Sequence, residues 1–477
     1  MVTQGTLLTR LPICLALRAQ EALEAVRRHA AAQGWGLYLV GGGVRDLLLG
    51  RPQVDLDLAL EGDAIALTKA LTEATGGRAI VHSSFGTATV QGQGFTMDLA
   101  RTRREVYPRP GALPKVSPAP IEDDLARRDF TINTMALALS GPREGELLDP
   151  FGGRRDLMQG VIKVLHEKSF IDDATRILRA LRYAGRLGFS LASRTRQLVL
   201  RDRDYLLIIS GSRLRRELML ILAEERADAA LTLAQELGVL SRLHPSLTFS
   251  SVEVAQARRM PTGECALVRL CLLAKDLSRG EAEALARRLA LTKKERQALL
   301  STAQLGGLVE ELSREEVPAS AVARLLEPYP LTAVWAFALS APPPAAERAL
   351  RYLEVWRHVK PLLNGKALQA LGIPPGPALG RILQALREAR LDGVVQTQED
   401  EATLARQLTV GDATCPVCER PLDEVNVARC DICGRLFHFI VRRDRLGRDC
   451  GTCHLHPDYL ALAFICNLCL QRMPAQG

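Results

Sequence analysis

Apolar residues follow two different rhythms along the chain. Up to about residue 140 they come in short, partly alternating runs, at Leu37 to Val40 and in "DLDLAL", "GRAIVH", "GTATV" and "FTMDLA", which is a strand pattern. From Asp172 onward the spacing becomes i, i+3, i+4, as in "ATRILRALRYAGRLGF" and "RLRRELMLILAEERADAALTLAQELGVL", which predicts a helical array. The chain is therefore expected to be α+β. An α/β head fills 1–145, a helical neck 146–225, a helical body and tail 226–405, and a small cysteine-rich module 411–471. Tyr107 to Pro120 holds five prolines and reads as an exposed, mobile loop. Gln398 to Asp412 reads as the linker to the cysteine-rich end.

Composition agrees with several globular domains. The chain has 477 residues, 47% apolar and 24% charged, room for about three domains. Aromatics make up only 4%, so the cores should be aliphatic. The longest uncharged run, Pro328 to Ala346, is broken by Pro342 to Pro344 and is too interrupted to span a bilayer. The N-terminal apolar patch carries Pro12 and runs into Glu21 and Glu24 without a cleavage pattern. A soluble, cytoplasmic protein with no membrane partner is expected. Net charge is +8, and the excess lies in the first 410 residues, which favours a polyanionic partner there.

The sharpest candidate chemistry begins where the run Leu37 to Val40 meets Gly41 to Gly43 and "VRDLLLG", a strand, tight turn and helix. Gly42 and Gly43 would let backbone N–H groups approach a triphosphate at the helix start, with Arg45 adding positive charge. In "DLDLAL", the strand period of two puts Asp55 and Asp57 on one face, where they could hold Mg²⁺ among phosphate oxygens. Without a cation the pair repels itself. Asp98, in "FTMDLA", is the candidate third carboxylate. Neither GxxxxGK[ST] nor GxGxxG occurs, which argues against P-loop and Rossmann sites.

Two further segments carry clustered charge. "DLARRDFTIN" brings together Arg127, Arg128, Asp129 and Asn133. "FIDDATRILRALRYAGRLGF" spaces Asp173, Arg176, Arg179 and Arg182 three residues apart. On a helix, neighbours in that series share a face while successive members drift by roughly 60°, so Arg182 should sit at the edge.

Together with "DPFGGRRDL" and "ISGSRLRREL", these motifs occur in the order found in the nucleotidyltransferase superfamily. From about Leu37 to Leu222 the chain resembles the bacterial-type, class II tRNA nucleotidyltransferases (CCA-adding enzymes) and their poly(A) polymerase relatives. The resemblance implies addition of C, C and A to tRNA 3′ ends from CTP and ATP, with release of pyrophosphate. It implies two catalytic Mg²⁺ ions at Asp55 and Asp57. It assigns Arg127, Arg128, Asp129 and Asn133 to the nucleotide's ribose and phosphates, and Asp173 and Arg176 to the base, on the helix that also carries Arg179 and Arg182. An accepting Asp and a donating Arg match the edge that cytosine and adenine share. Against uracil or guanine they leave polar groups unpaired, at about 1–3 kcal/mol.

The same resemblance gives the body and tail to the tRNA acceptor and T arms, bound by shape and phosphate contacts. The Tyr107 loop is similar to one in members that add the terminal A, favouring full CCA over CC-only addition. A poly(A) polymerase, an A-adding or CC-adding relative, and an inactive RNA-binding adaptor remain alternatives. The chain has "DDATR" where relatives carry Glu-Asp-Pro-Leu-Arg, and Ser212 where they carry Glu. The first change spares Asp173 and Arg176.

Eight of the eleven cysteines form four CxxC pairs, Cys415/Cys418, Cys430/Cys433, Cys450/Cys453 and Cys466/Cys469. Eight thiolates fill two tetrahedral Zn²⁺ ions, and such pairs in a reducing compartment bind metal. Spacing leaves the pairing open, and His438, His454 or His456 could replace a cysteine. Two Zn²⁺ with eight thiolates add about −4 to a formally neutral tail. That outweighs the cluster Arg442, Arg443, Arg445 and Arg448, so a structural or protein-binding appendage is expected rather than an RNA clamp. With so small an apolar core, the metal should supply much of the folding energy.

Overall fold

The short apolar runs of the first 150 residues become the strands β1 (Gly36–Val40), β2 (Asp55–Glu61), β3 (Arg78–His82), β4 (Thr87–Gly92) and β5 (Phe95–Arg101). They are followed by β6 (Arg103–Val106), β7 (Lys115–Pro118), β8 (Ala136–Ser140) and β9 (Leu147–Leu148). Interleaved with them are α1 (Leu17–Ala32), α2 (Gly42–Leu48), α3 (Ala64–Thr75) and α4 (Ile121–Ala126). The computed structural model describes all residues except 1–6, 10, 13–14, 53–54, 83–85, 261–262, 374, 412–414, 421, 423–426, 441–448, 456–461 and 472–477.

Seven strands form one mixed sheet in the order β3-β4-β5-β2-β1-β8-β9. β1 is an interior strand buried along its whole length, while the central strand β2 alternates, hiding Leu56 and Leu58 and exposing Asp55 and Asp57. β2 lies antiparallel to β1 and parallel to β5, in a register that sets Asp57 beside Asp98. α3 starts where Asp63 accepts the N–H groups of Ile65 and Ala66, and ends at Gly76 in the left-handed region.

The proline-rich segment is more ordered than its composition suggests. β6 and β7 pair antiparallel from Arg103 opposite Pro118 to Val106 opposite Lys115, leaving only the tip between them as loop. Pro118 is tolerated because it ends a strand of a two-stranded ribbon, where a missing N–H breaks no ladder.

After residue 150 come α5 (Gly153–Met158), α6 (Ser169–Asp172), α7 (Thr175–Leu187), α8 (Ser193–Asp202), α9 (Gly211–Ala223) and α10 (Ala227–Glu236). Asp173 was expected in the same helix as Arg176, but it is extended (φ −144°, ψ 98°) in the break between α6 and α7. Its carboxylate caps α7 by accepting from Thr175 N and Oγ1, which the helical position would forbid. α7 packs closely on α10, where a Cβ at Gly185 would lie 2.9 Å from Ala230 Cβ and 3.0 Å from its nitrogen.

The chain divides into two compact units, Met1–Glu311 with Tyr329–Ala346, and Leu312–Pro328 with Glu347–Gly477. The first also holds α11 (Cys265–Leu273), α12 (Arg279–Arg288) and α13 (Lys293–Gly306), the last two opened by capping boxes at Ser278/Glu281 and Thr292/Glu295. The long uncharged run supplies a core helix, α14 (Leu331–Ser340), buried among them. Among the described residues no helix is long and apolar enough to cross a membrane.

In the second unit α15 (Pro377–Leu391) is followed by α16 (Gln398–Gly411), where a linker was expected. The polar start of this segment is a helix cap: Asp400 accepts the N–H groups of Gln396 and Thr397, and Thr397 Oγ1 accepts that of Asp400. Glu401, fully buried, accepts from Leu362 N and Leu363 N. The cysteine-rich end contains two small hairpins, β10 (Val427–Arg429) with β11 (Leu436–His438) and β12 (Gly451–Leu455) with β13 (Leu462–Cys466), then α17 (Asn467–Leu470).

Because Gly185 is where α7 meets α10, Gly185→Val should destabilise the first unit by about 1–3 kcal/mol in chemical denaturation, and Gly185→Ala by less. An unchanged midpoint for the valine variant would contradict the close packing.

Candidate active site and metal centres

A cleft of about 450 Å³ opens between the glycine turn, the start of β2 and one face of α7. Asp55 and Asp57 project into it from β2, as the two-residue period dictates. Asp98 stands next to Asp57 on β5, and its Oδ1 accepts from Thr89 Oγ1 at 2.5 Å. Asp57 is reachable by solvent through the mouth, yet the walls of the cleft enclose it. Burial, the adjoining Asp98 and Asp55 push its carboxyl above the usual range, against the pull of Arg128 and Arg45. A donor set of hard carboxylate oxygens on one face suits Mg²⁺, and a divalent cation there would reverse this repulsion.

The turn opposite is built on Gly41, whose φ of +64° a residue with a side chain rarely adopts. A Cβ at Gly41 would also come within 2.8 Å of Arg128 Nη1. Gly42 and Gly43 line the cleft beside it. Gly41 was not singled out from the sequence, although the triplet contains it.

Behind the turn runs a continuous polar chain. Arg45, 3% exposed, donates from Nε and Nη2 to the two oxygens of Asp46 and from Nη1 to Asn133 Oδ1 at 2.8 Å. Asn133 Nδ2 donates to Asp129 Oδ1 at 3.0 Å, and Asp129 Oδ2 receives Arg179 Nε at 2.8 Å and Nη2 at 2.7 Å. Burial would raise the Asp129 carboxyl, but Arg179 and Asn133 hold it below the usual range. The Tyr183 ring lies beneath three guanidiniums, with Arg45, Arg179 and Arg182 5.1–5.5 Å from its centroid.

The remaining expected residues are distributed around this chain. Arg128 lines the cleft, with Nη2 bonded to Asp124 Oδ2 at 2.8 Å and a buried Nε that has no partner. Arg127 turns away, to Asp124 Oδ1 and to Glu105 Oε1 of the β6–β7 hairpin. Asp173 Oδ1 meets Arg213 Nη2 at 2.7 Å, while Arg176 donates to Ser169 Oγ and to the Arg127 carbonyl. Arg182 faces Glu217 and Glu224 at 3.9 and 3.7 Å. Only Arg179 of that series lines the cleft; Asp173 and Arg176 are satisfied by the chain's own groups.

The sequence reading missed Asp124, Tyr183, Arg186 and Arg213. Tyr183 carried a signal, standing one helical turn from Arg179. Asp124, 1% exposed, is found only by folding, because its role is to hold Arg127 and Arg128 at once. Ser212 makes no such contact, its Oγ lying 3.5 Å from that of Ser210.

At the cysteine-rich end, ligand atoms converge in two groups, each within 4.8 Å: Cys415, Cys418, His438 and Cys450, and Cys430, Cys433, Cys466 and Cys469. Tetrahedral zinc with 2.3 Å bonds separates its sulfurs by about 3.8 Å. Cys433 and Cys466 Sγ are 3.8 Å apart, and Cys418 Sγ is 3.2 Å from His438 Nδ1. Against the effect of burial, backbone N–H groups hold the Cys415 and Cys430 thiols down to about 6.

Cys453, one of the eight cysteines expected as ligands, is exposed and lies outside both groups. Cys450 immediately precedes β12, and in extended chain residues three apart point to opposite faces, so Cys453 turns away and His438 closes the set. Seven thiolates with two Zn²⁺ would then carry about −3 rather than −4. His454 is exposed, while His456, Arg442, Arg443, Arg445 and Arg448 lie outside the described residues.

A mixed sheet with paired aspartates beside a glycine turn, joined to an arginine-bearing helix, defines a nucleotidyltransferase head. Residues 37–163 match the family model of the poly A polymerase head domain, and 188–250 that of the probable RNA and SrmB-binding site of polymerase A. The A-adding tRNA nucleotidyltransferase of Halalkalibacterium halodurans is 32% identical over 81% of this chain and 92% of its own length. The CC-adding tRNA nucleotidyltransferase of Deinococcus radiodurans is 35% identical over 78% and 88%. The A-adding enzyme of Geobacter sulfurreducens is 34% identical over 78% of this chain, which spans only 45% of that relative. A solved structure of the Thermotoga maritima CCA-adding enzyme complexed with tRNA_CCA superposes with a TM-score of 0.68 at 28% identity, covering 84% of this chain and 97% of that one. The chain belongs to the tRNA nucleotidyltransferase family.

Since the ionised Asp57 is penalised without a cation, Asp57→Asn should raise the melting temperature in chelator while cutting nucleotide incorporation about 10²–10³-fold. A lowered melting temperature in chelator would contradict the carboxylate repulsion. Asp124 and Asp129 act oppositely: their lowered pKa values give stability above the ordinary carboxylate pKa that is lost on acidification. Denaturation midpoints should therefore fall as pH drops below about 4, and Asp129→Asn should flatten that fall.

Proposed function

We propose that the protein adds C, C and A to the 3′ ends of tRNA from CTP and ATP, releasing pyrophosphate. The observation that carries this is the single cleft where Asp55 and Asp57 face Gly42, Gly43, Arg128 and Arg179, in a chain of this family. Asp55 and Asp57 would hold Mg²⁺, which supplies charge neutralisation on the triphosphate and a lowered pKa for the attacking 3′-hydroxyl. Asp98 is the candidate third carboxylate. The backbone at Gly42 and Gly43, with Arg128, binds the triphosphate. Asp129 and Asn133 fix Arg179 and Arg45 so that the cleft wall is positioned before the nucleotide arrives.

Asp173 and Arg176 read the base in this account. Both are held by protein partners that mimic what a base edge would offer: Arg213 occupies the acceptor and Ser169 with the Arg127 carbonyl occupies the donor. The amino group of cytosine or adenine would replace Arg213 at Asp173, and its ring nitrogen would replace one of the two acceptors at Arg176, whereas uracil or guanine would leave both readers unpaired. Arg127 and Arg182 act behind this surface, through Glu105 and Glu217. The acceptor and T arms of tRNA bind the helical body by phosphate and shape contacts.

The β6–β7 hairpin supports A addition, because its Tyr107 lies over Arg176 at 6.0 Å and its tip meets Arg213 at the Gly111 carbonyl. Addition of A alone is the second reading, favoured by the A-adding relatives.

Purified protein with Mg²⁺ should extend a tRNA lacking CCA by two residues with CTP alone and by a third only when ATP is added. Extension solely of a tRNA ending in CC, by ATP, would give the second reading, and long tails from ATP alone would defeat both. Asp173→Ala should raise incorporation of UTP or GTP relative to CTP by about 10-fold, seen in single-nucleotide assays.

A further inference from the structure

We infer that the C-terminal module binds two zinc ions in interleaved sites, one closed by His438 Nδ1 in place of Cys453. The first site takes Cys415, Cys418, His438 and Cys450, and the second Cys430, Cys433, Cys466 and Cys469. Along the chain the ligands alternate in pairs between the sites, so each site encloses half of the other.

Three observations carry this arrangement. The first is a turn that occurs twice. Cys415 N donates to Arg420 O and Glu419 N to Cys415 O, both at 2.8 Å; Cys430 N donates to Arg435 O and Gly434 N to Cys430 O, both at 2.9 Å. In each copy the residue four after the first cysteine has positive φ, Glu419 at 55° and Gly434 at 72°. Glu419 adopts this conformation without being glycine, a backbone cost that the identical turn geometry accounts for. Such a turn directs both thiols of a CxxC pair to one point.

The second observation is the contrast with the other two pairs. Cys466 is the N-cap of α17 and Cys469 lies in its first turn, so three residues bring them to the same side. Cys450 and Cys453 have neither turn nor helix between them, and β12 carries Cys453 outward.

The third is the hairpin register. β10 and β11 are joined by the Cys430 turn, and His438 pairs with Val427 at the end remote from that turn. His438 is therefore delivered away from the second site and into the first, where its carbonyl also accepts the N–H of Cys450. The second site is tied in turn to β13, with Cys466 N donating to Cys430 Sγ at 3.4 Å and Asp431 N to the Phe464 carbonyl at 2.8 Å. Around both, the apolar core is small: beyond the cysteines it consists of Ala428, Phe437 and Ile465 with a few half-buried neighbours. Metal is the main source of order for such a core.

The test uses full-length protein and does not depend on nucleotidyl transfer, so its failure leaves the enzymatic reading untouched. Metal analysis should find two zinc ions per chain. Cobalt substitution should give one three-sulfur, one-nitrogen spectrum and one four-sulfur spectrum. Cys453→Ser should keep both ions, His438→Asn should lose the mixed-ligand band, and His438→Cys should convert it to a second four-sulfur band. Cys418→Ser should disturb the mixed-ligand band and Cys433→Ser the four-sulfur band. Loss of an ion in Cys453→Ser with both retained in His438→Asn would overturn the assignment of His438. If Cys418→Ser and Cys433→Ser disturb the same band, the interleaving is wrong.

Discussion

The site depends on one buried carboxylate. Asp129 receives Arg179 through one hydrogen bond and a second close ion-pair contact and Asn133 through another hydrogen bond, and Asn133 in turn holds Arg45 behind the glycine turn. A buried carboxylate such as Asp129 is costly unless paired in this way, and leaving such a charge without its partner typically costs about 3–5 kcal/mol. Three segments far apart in sequence therefore have one low-energy arrangement: the turn after β1, the segment after α4, and α7. The cleft is the space they leave.

Within that frame the chemistry comes from an imbalance left unrelieved. Most charges near the cleft are paired, including Arg45 with Asp46, Arg127 and Arg128 with Asp124, and Asp173 with Arg213. One exception is the carboxylate face of β2 and β5, where burial and two neighbouring aspartates push Asp57 towards protonation. A face that is destabilised when empty and satisfied by a divalent cation bound to a triphosphate favours the loaded state. In the proposed function the raised Asp57 would take the metal, while the lowered Asp129 fixes the wall.

Local periodicity made much of this legible before folding. Alternation in "DLDLAL" was enough to put Asp55 and Asp57 on one face, and the change to helical spacing after Asp172 located the helical region. Pairings across 88 residues, as for Arg45 and Asn133, or 50, as for Asp129 and Arg179, have no local signature. Where the reading went astray, a short-range polar contact had overridden the pattern. Asp173 leaves the helix to cap it, and Thr397 with Asp400 turns an apparent linker into a helix start. Cys453 follows the same lesson, because CxxC spacing converges only when the chain between the cysteines turns, and here it is extended.

In the proposed function the cleft between β2, the glycine turn and α7 holds the nucleotide and its metal. A crystal structure with CTP and Mn²⁺ tests it most directly. Anomalous density bridging Asp55, Asp57 and the triphosphate is expected, with the phosphates against Gly42, Gly43 and Arg128 and the base beside Asp173 and Arg176 after Arg213 has moved away. Manganese or nucleotide bound elsewhere, with this cleft empty, would contradict it.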